Sequence, residues 1–212
     1  MKKLFVCLML LAAPALAQQA QPAGQARQDR TPEEYIKLLE SERRLSGLQV
    51  DRVVESLKLQ PGMRIADLGA GSGVFSRPMA QKVGPKGMIY AIDIDTELLK
   101  HLEKTARERN LTNIKTIVGS ETDAKIPEKV DLIAIIDTMH HIQNQREYVK
   151  GLRKYLKPNG RVAILDFSKD WPAGHEKMIY KLEDLDGWMK EAGFKRVEQF
   201  DFLSNNFFVV YK

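Results

Sequence analysis

The sequence predicts a doubly wound α/β sheet, mostly parallel, with an antiparallel edge strand at the carboxyl terminus. Three observations carry that expectation. Five short runs rich in Ile, Val and Leu recur along the chain: "MRIADL" (63–68), "GMIYAID" (87–93), "IKTIV" (114–118), "DLIAIID" (131–137) and "GRVAILDF" (160–167). Near-continuous apolar runs of this length suit strands buried on both faces of a parallel sheet. Stretches with helical spacing separate them: 72–83; 96–109, with Leu98, Leu99, Leu102 and Ala106; and 145–156, with Tyr148, Val149, Leu152 and Leu156. A further helix over 174–191 ends at "AGF", and two aromatic-rich runs, 195–202 and 206–211, join at "SNN" as a closing hairpin. Strands and helices that alternate in this order place helices on both faces of one sheet.

Ahead of the first strand, "TPEE" sets Thr31 as a helix cap, Pro32 at the first helical position and Glu34 where a capping box needs it. The spacing predicts a helix over 32–45 that covers the ligand cleft, with Tyr35, Ile36, Leu38 and Leu39 on its apolar side. A second helix starts near residue 49, with Val50, Val53, Val54 and Leu57 at helical spacing, and "QPG" at 60–62 stops it. The domain therefore runs from 31 to 212. Residues 18–30 are small and polar, a flexible lead-in.

Residues 1–17 have the parts of a secretory signal. Lys2 and Lys3 form the positive start, Leu4 to Ala13 the apolar centre, and Ala15-Leu16-Ala17 the small-x-small cleavage site. That centre is too short for a membrane-spanning helix, which needs about 20 residues. Cleavage after Ala17, export to the periplasm and no stable membrane insertion afterwards are the expectations. Translation from a later start, giving a cytoplasmic enzyme, is the alternative. Cleavage removes two lysines, so the formal charge of +5 falls to +3 and the basic balance loses weight as a sign of nucleic acid or anionic lipid. The sole cysteine, Cys7, goes with the signal, which rules out thiolate nucleophiles and zinc–cysteine sites. The four histidines lack ligand spacing, so no metal is expected; His101 reads as an exposed helix residue, and His175, after the fifth strand, as part of a surface loop, with lining of the substrate side as its alternative.

"DLGAGSG" (67–73) is the turn that should hold a ligand. Its glycines permit a tight bend and close backbone approach. A nicotinamide fingerprint needs a third glycine where Val74 stands, and no Gly-Lys-Ser/Thr closes a phosphate loop. Asp67, ending the first strand, suits an ammonium group better than a pyrophosphate. Asp93, about 20 residues beyond the turn, lies at the distance where an acid meets a ribose diol. The competing role for both acids is helix capping. An adenosine-like ligand with a cationic amino-acid tail fits the pair, and S-adenosylmethionine has both features.

"IADLGAGSGVFS", "YAIDID", "VDLIAIIDTMHHI", "LRKYLKPNGRVAILDF" and "WMKEAGFKRV" resemble, in order, the successive motifs of class I S-adenosylmethionine-dependent methyltransferases over roughly residues 47–212. The resemblance implies a Rossmann-like, seven-stranded sheet with the last strand antiparallel. It implies that Asp67, Gly69, Ala70 and Gly71 line the methionine portion, that Asp93 meets the ribose and that Ile94 lies against adenine. It also implies an acidic contact to the adenine amino group from "GSETDAKIP". Ser120, Glu121 and Asp123 stay open for that contact, with Glu121 the expected residue. Asp137, ending the fourth strand, falls where the family shapes the pocket.

Methyl transfer from a sulfonium mainly requires alignment and exclusion of water; an oxygen or amine acceptor also needs a base. His140 and His141 are the base candidates on intrinsic pKa, with packing as their competing role. Nucleic-acid methylation lacks both an Asn/Asp-Pro-Pro-aromatic run and a dense basic patch. Trp171 and Trp188 read as core or lid residues. The function expected is methyl transfer to a small molecule or an accessible protein group. The rival is an exported module that binds a nucleoside-like ligand without turnover. Mass spectrometry of the amino terminus from fractionated cells checks the export reading: the periplasmic fraction should begin at Gln18, and full-length chain confined to the cytoplasm would sink it.

Overall fold

The computed structural model describes residues 30–172 and 174–212. The signal-like run lies outside the described residues, as does all of the lead-in but Arg30. Among the described residues three helices come first: α1 (Pro32–Leu39), α2 (Glu42–Leu48) and α3 (Val50–Ser56). The βα alternation follows as β1 (Arg64–Leu68), α4 (Ser76–Val83), β2 (Met88–Asp93), α5 (Thr96–Glu108), β3 (Ile114–Val118), β4 (Val130–Ile136), α6 (Gln145–Leu152) and β5 (Leu156–Phe167). The chain ends with α7 (Leu182–Glu191), β6 (Arg196–Phe200) and β7 (Asn206–Tyr211).

All seven strands form one sheet in the order β3-β2-β1-β4-β5-β7-β6. β1 to β5 are mutually parallel, and β7 runs antiparallel to both β5 and β6. The doubly wound, mostly parallel sheet is therefore as the sequence implies. The antiparallel strand lies one place in from the edge, between β5 and β6, because the hairpin inserts its second arm against β5.

Strand alternation divides the core. Ile65, Ile89, Leu132 and Ala134 face Val53, Val54, Leu57, Met79 and Val83 from α3 and α4. Ala66, Tyr90, Ile133 and Ile135 face Val149, Leu152, Leu185 and Met189 from α6 and α7. Successive side chains point to opposite faces of a strand, so a run apolar at every position buries both faces. Among the described residues no helix is long and apolar enough to cross a membrane.

Helix ends depart from the expected spans for local reasons. The helix expected over 32–45 is two helices, because Ser41 takes an extended backbone (φ −64°, ψ 140°) and its hydroxyl donates to the Leu38 carbonyl at 2.9 Å. Serine competing for backbone in this way ends a helix turn. The Thr31 capping box is present, with both of its hydrogen bonds made to Glu34. The span 72–83 becomes helical only at Ser76, since Gly71 and Gly73 take φ of 55° and 86° in the preceding turn. In place of one helix over 174–191, a short 3-10 turn at Glu176–Met178 precedes α7, which begins after an extended Lys181. The expected 145–156 helix stops at Leu152; a 3-10 turn covers Arg153–Tyr155 and β5 takes Leu156.

Strand order reverses between β1 and β4, and their carboxyl ends leave a crevice there. Ile133, fully buried beside that point, should lose about 2–5 kcal/mol of stability on replacement by Ala. Urea unfolding checks this, with a lower midpoint and an unchanged slope.

Candidate functional site

The turn after β1 is fixed from three sides. Gly69 sits at φ 74°, and a Cβ there would lie 2.2 Å from Thr138 Cγ2, beyond the end of β4. Only glycine meets both demands. The Gly69 and Ala70 amides donate to the Ile92 carbonyl at 2.8 and 3.0 Å. The Gly71 amide donates to Asp93 Oδ2 at 2.8 Å. Asp93 Oδ1 also accepts from the Asp95 amide at 2.9 Å. The cap of α5 is Asp95, which accepts from Glu97 and Leu98. Asp93 instead joins the end of β2 to the glycine turn, which settles the capping alternative for that residue.

Asp67 is buried behind the turn and accepts a 2.5 Å hydrogen bond from the Ser76 hydroxyl. Burial pushes its carboxyl up to about 6, the Ser76 hydrogen bond opposes that rise, and the nearby Asp93 charge adds to it. Among the described residues no salt bridge reaches Asp67, so its buried carboxyl would be stabilised in its ionised form by an incoming cation. Ser72, within the turn, has a buried hydroxyl oxygen with no hydrogen-bond partner among the described residues. A polar group buried in this way is an open position for a polar ligand.

Beyond Asp93, Ile94 is 55% exposed and Val118, at the end of neighbouring β3, is 51% exposed. Asp93 pairs with Val118 in register, and the Gly119 amide donates to the Asp93 carbonyl at 2.9 Å. Two open aliphatic groups next to the acid make an apolar rest for a flat ring. Val118 escaped sequence reading because it looks like any other strand residue. In the following loop, Ser120 Oγ and Asp123 bond to each other, while Asp123 also accepts from Tyr155 and Lys154. The Tyr155 hydrogen bond leads in holding the Asp123 carboxyl below its usual range. Those contacts commit Ser120 and Asp123 elsewhere and leave Glu121 exposed.

α1 and α2 pack against the turn. Leu39 Cδ1 would be 3.5 Å from a Cβ on Gly71. The Arg44 guanidinium pairs with Asp137 and also donates to the Leu39 carbonyl at 3.0 Å. Asp137 stands at φ 54°, unusual for a non-glycine residue and often found at functional sites. Glu40 meets Arg77 at 2.8 Å and His101 at 3.3 Å. Burial opposes the Glu40 charge, yet the Arg77 guanidinium and His101 hold its carboxyl below the usual range. Arg77 also donates to the Ser72 carbonyl at 2.5 Å and to Thr105 Oγ1 at 3.0 Å, tying cover, turn and α5 together. His101 is therefore part of the cover's contacts, half-buried, and not the exposed helix residue its position suggested.

The histidines gather at the ends of β4 and β5. His140 is buried, and its Nδ1 lies 2.7 Å from Asp166 Oδ1. Asp166, fully buried, accepts further from the His140 amide at 3.0 Å, the Phe167 amide at 2.9 Å and the Tyr180 hydroxyl at 2.9 Å. That carboxylate orients the His140 ring through Nδ1, with Nε2 on the opposite side of the ring. His141 stacks on His140 with ring centroids 4.0 Å apart. Burial, with the His140 and His175 charges beside it, pushes the His141 imidazole down to about 3, so it is neutral near pH 7. His175 is 8% exposed, with its ring 5.3 Å from His140 and 5.5 Å from His141. The surface-loop expectation for His175 is thus corrected. So is the premise behind expecting no metal, because residues 35 positions apart in sequence converge in space. Trp171 packs edge-on to His140 at 5.6 Å, and Trp188 packs on Tyr180 at 5.5 Å, so both belong to the aromatic cluster around the histidines.

A methyltransferase domain family model matches residues 59–199, about two thirds of the chain. The chain belongs to this family. It is 25% identical to a demethylmenaquinone methyltransferase of Geobacillus sp. (strain WCH70) over 128 residues, 60% of this chain and 55% of that one. It is 27% identical to the ubiquinone/menaquinone biosynthesis C-methyltransferase UbiE of Shewanella sediminis over 118 residues, 55% of this chain and 47% of that one. The methyltransferase domain thus spans about half the length of these curated relatives. A solved S-adenosylmethionine-dependent methyltransferase from Aquifex aeolicus has the same fold at a TM-score of 0.75 and 24% identity, covering 86% of this chain and 98% of that one. The magnesium protoporphyrin IX methyltransferase of Synechocystis, solved with S-adenosylhomocysteine (SAH), has a TM-score of 0.67 at 17% identity, covering 85% of this chain and 91% of that one.

The matched span takes in the glycine turn, Asp93, Asp137 and the histidines, and it begins after the cover. Arg44 and Glu40 thus lie outside what the methyltransferase family model describes. Arg44→Ala should loosen α1 and α2 without unfolding the sheet, since a partly exposed charged hydrogen bond contributes about 1.5 kcal/mol. Hydrogen exchange checks it: amides over 32–48 should exchange roughly tenfold faster, with β1 and β4 unchanged.

Proposed function

We propose that the protein transfers a methyl group from S-adenosylmethionine to a small-molecule acceptor, and that it does so after export. The observation that carries the first part is the pair of carboxylates spaced along one crevice. Asp67 is buried without a cation behind a glycine turn, and Asp93 is anchored at the end of β2 beside the open Ile94 and Val118. A ligand with an ammonium group, a ribose diol and a flat apolar base answers each feature in turn, and the orphan Ser72 hydroxyl adds a polar contact. A dinucleotide would set a pyrophosphate against Asp67, which the charge disfavours.

S-adenosylmethionine supplies a methyl group already activated on a cationic sulfur. The chain's own part is to bind, align and keep the site dry. Asp67 and the Gly69–Gly71 backbone hold the amino-acid end, Asp93 the ribose, and Ile94 with Val118 the base. Glu121, exposed in the loop after β3, is the acid that would meet the base's amino group. The cover closes over the turn through Leu39 and the Arg44–Asp137 pair. Asp137 and Thr138 lie at the end of β4, next in the chain to the aromatic cluster of His140, His141, Phe167 and Trp171. His140, oriented by Asp166, and His141 beside it are the groups there that would hydrogen-bond the acceptor. The aromatic walls favour a ring-containing acceptor, and the quinone-biosynthesis names of two relatives support a small molecule. Export rests on the signal-like run at residues 1–17.

Titration with S-adenosylmethionine, its demethylated product and NAD tests this reading. Micromolar binding of NAD with none of S-adenosylmethionine would overturn it. Asp67 gives the sharper check. Its folded pKa lies above the unfolded value of 3.8, so ionised Asp67 costs the ligand-free protein stability, growing as pH rises from about 4 to 6 and reaching about 3 kcal/mol. A bound cation favours the ionised form. Affinity should therefore fall about tenfold per unit as pH drops below about 6. Asp67→Asn should flatten that profile and weaken binding roughly 10- to 150-fold at pH 7. The same variant, without ligand, should be at least as stable as wild type. Lower stability with unchanged affinity would make Asp67 structural.

A further inference from the structure

We propose that His140, His141 and His175 form a binding site for one divalent transition metal ion, zinc by its chemistry, with a coordination position left open to the acceptor. One ring nitrogen from each histidine lies within 4.8 Å of the other two. Zinc–imidazole bonds are about 2.0–2.1 Å, so ring shifts of less than about 1 Å bring all three onto one ion. The second observation is the support beneath His140. Its Nδ1 is held by Asp166, itself fixed by two backbone amides and the Tyr180 hydroxyl, so Nε2 is the ring nitrogen this contact leaves for an ion. Metal-ligating histidines are oriented by a carboxylate in this manner.

The donor set decides the kind of ion. Three imidazoles without a thiolate suit zinc or its neighbours in the transition series, whereas magnesium and calcium need oxygen ligands. Three protein ligands leave a fourth tetrahedral position, the arrangement of zinc sites that bind substrate or water. The cluster stands at the carboxyl ends of β4 and β5, on the acceptor side of Asp137 and away from the turn of Asp67 and Gly71. An oxygen or nitrogen of the acceptor would take the open position and be held in line. That last role rests on the methyl-transfer reading. The ion site itself does not.

Metal binding is measured directly on the chain freed of metal by chelation, with Co2+ as the coloured probe and Zn2+ as competitor. One Co2+ per chain should bind, giving the strong visible bands of tetrahedral coordination, and one Zn2+ should displace it. His175→Gln and His141→Gln should each abolish saturable binding at equimolar Co2+, while His101→Ala should keep it. Asp166→Asn should weaken binding roughly 10- to 100-fold, the effect of losing a carboxylate behind a ligand. His175 lies in a loop, so its Gln variant is the one least exposed to misfolding; circular dichroism and retained S-adenosylmethionine binding show that it is folded. Zn2+ should raise the melting temperature of the wild type and leave that of His175→Gln unchanged. Absence of saturable Co2+ binding by wild type, or equal affinity in folded His175→Gln and His141→Gln, would overturn the site. Neither result would touch the Asp67 and Asp93 half of the crevice.

Discussion

At position 69 the chain must turn sharply off β1 while lying almost in contact with Thr138 at the end of β4, and this close approach sets the geometry of the whole crevice. Any side chain there would overlap Thr138, and the positive φ would strain it further. With glycine in place, the turn lies flat enough for its amides to reach the Ile92 carbonyl and Asp93. The carboxyl ends of β1, β2 and β4 thus become one unit. A ligand that spans them meets groups whose spacing is set before it arrives, so little binding energy is lost to ordering the site.

The cover depends on that unit and adds to it. Arg77 is buried beneath the turn and donates to the Ser72 carbonyl, to Thr105 and to Glu40. One guanidinium therefore couples the shape of the turn to the seating of α1. Arg44 makes the second tie, from α2 to Asp137 at the switch point. Both ties are charged and partly solvated, the kind of contact that opens more readily than a packed apolar core. A closed cover held by ion pairs can admit a ligand without disturbing the sheet, whose core of Ile, Val and Leu is built on both faces.

The fold was legible because it rests on patterns that are local in sequence: strand runs, helix spacing and turn glycines. Asp67, Gly69, Gly71 and Asp93 were legible for the same reason, since a strand end and the turn after it are adjacent in the chain. What escaped reading was assembled across distance. Arg44 and Arg77 look like solvated helix residues until their partners, Asp137 and Glu40, are seen beside them. His175 lies 34 residues beyond His141 and reaches it only because β4 and β5 are adjacent parallel strands whose following loops share one end of the sheet. The break at Ser41 was equally hidden: its sequence is compatible with helix, and a side-chain bond to Leu38 decides against it. The antiparallel strand's inner place follows from pairing between β7 and β5, a long-range choice no local pattern states.

Asp67 and Asp166 are both buried carboxylates at the ends of neighbouring regions of the sheet, and the contrast between them separates binding from positioning. Asp166 accepts from two amides, an imidazole and a phenol. Its charge is solvated by the protein itself, so its task is complete without a ligand, and the task is to hold His140. Asp67 accepts from one hydroxyl, with the negative Asp93 close by, and its carboxyl rises to about 6. Its ionised form is disfavoured until a positive group arrives, since a buried charge without a partner is costly. Folding alone gives no reason to keep an acid at position 67, where a neutral residue of similar shape would cost less. On the proposed reading that cost is recovered when a cation binds, which would make Asp67 a ligand-holding group, whereas Asp166 already has its partners and holds His140 in place.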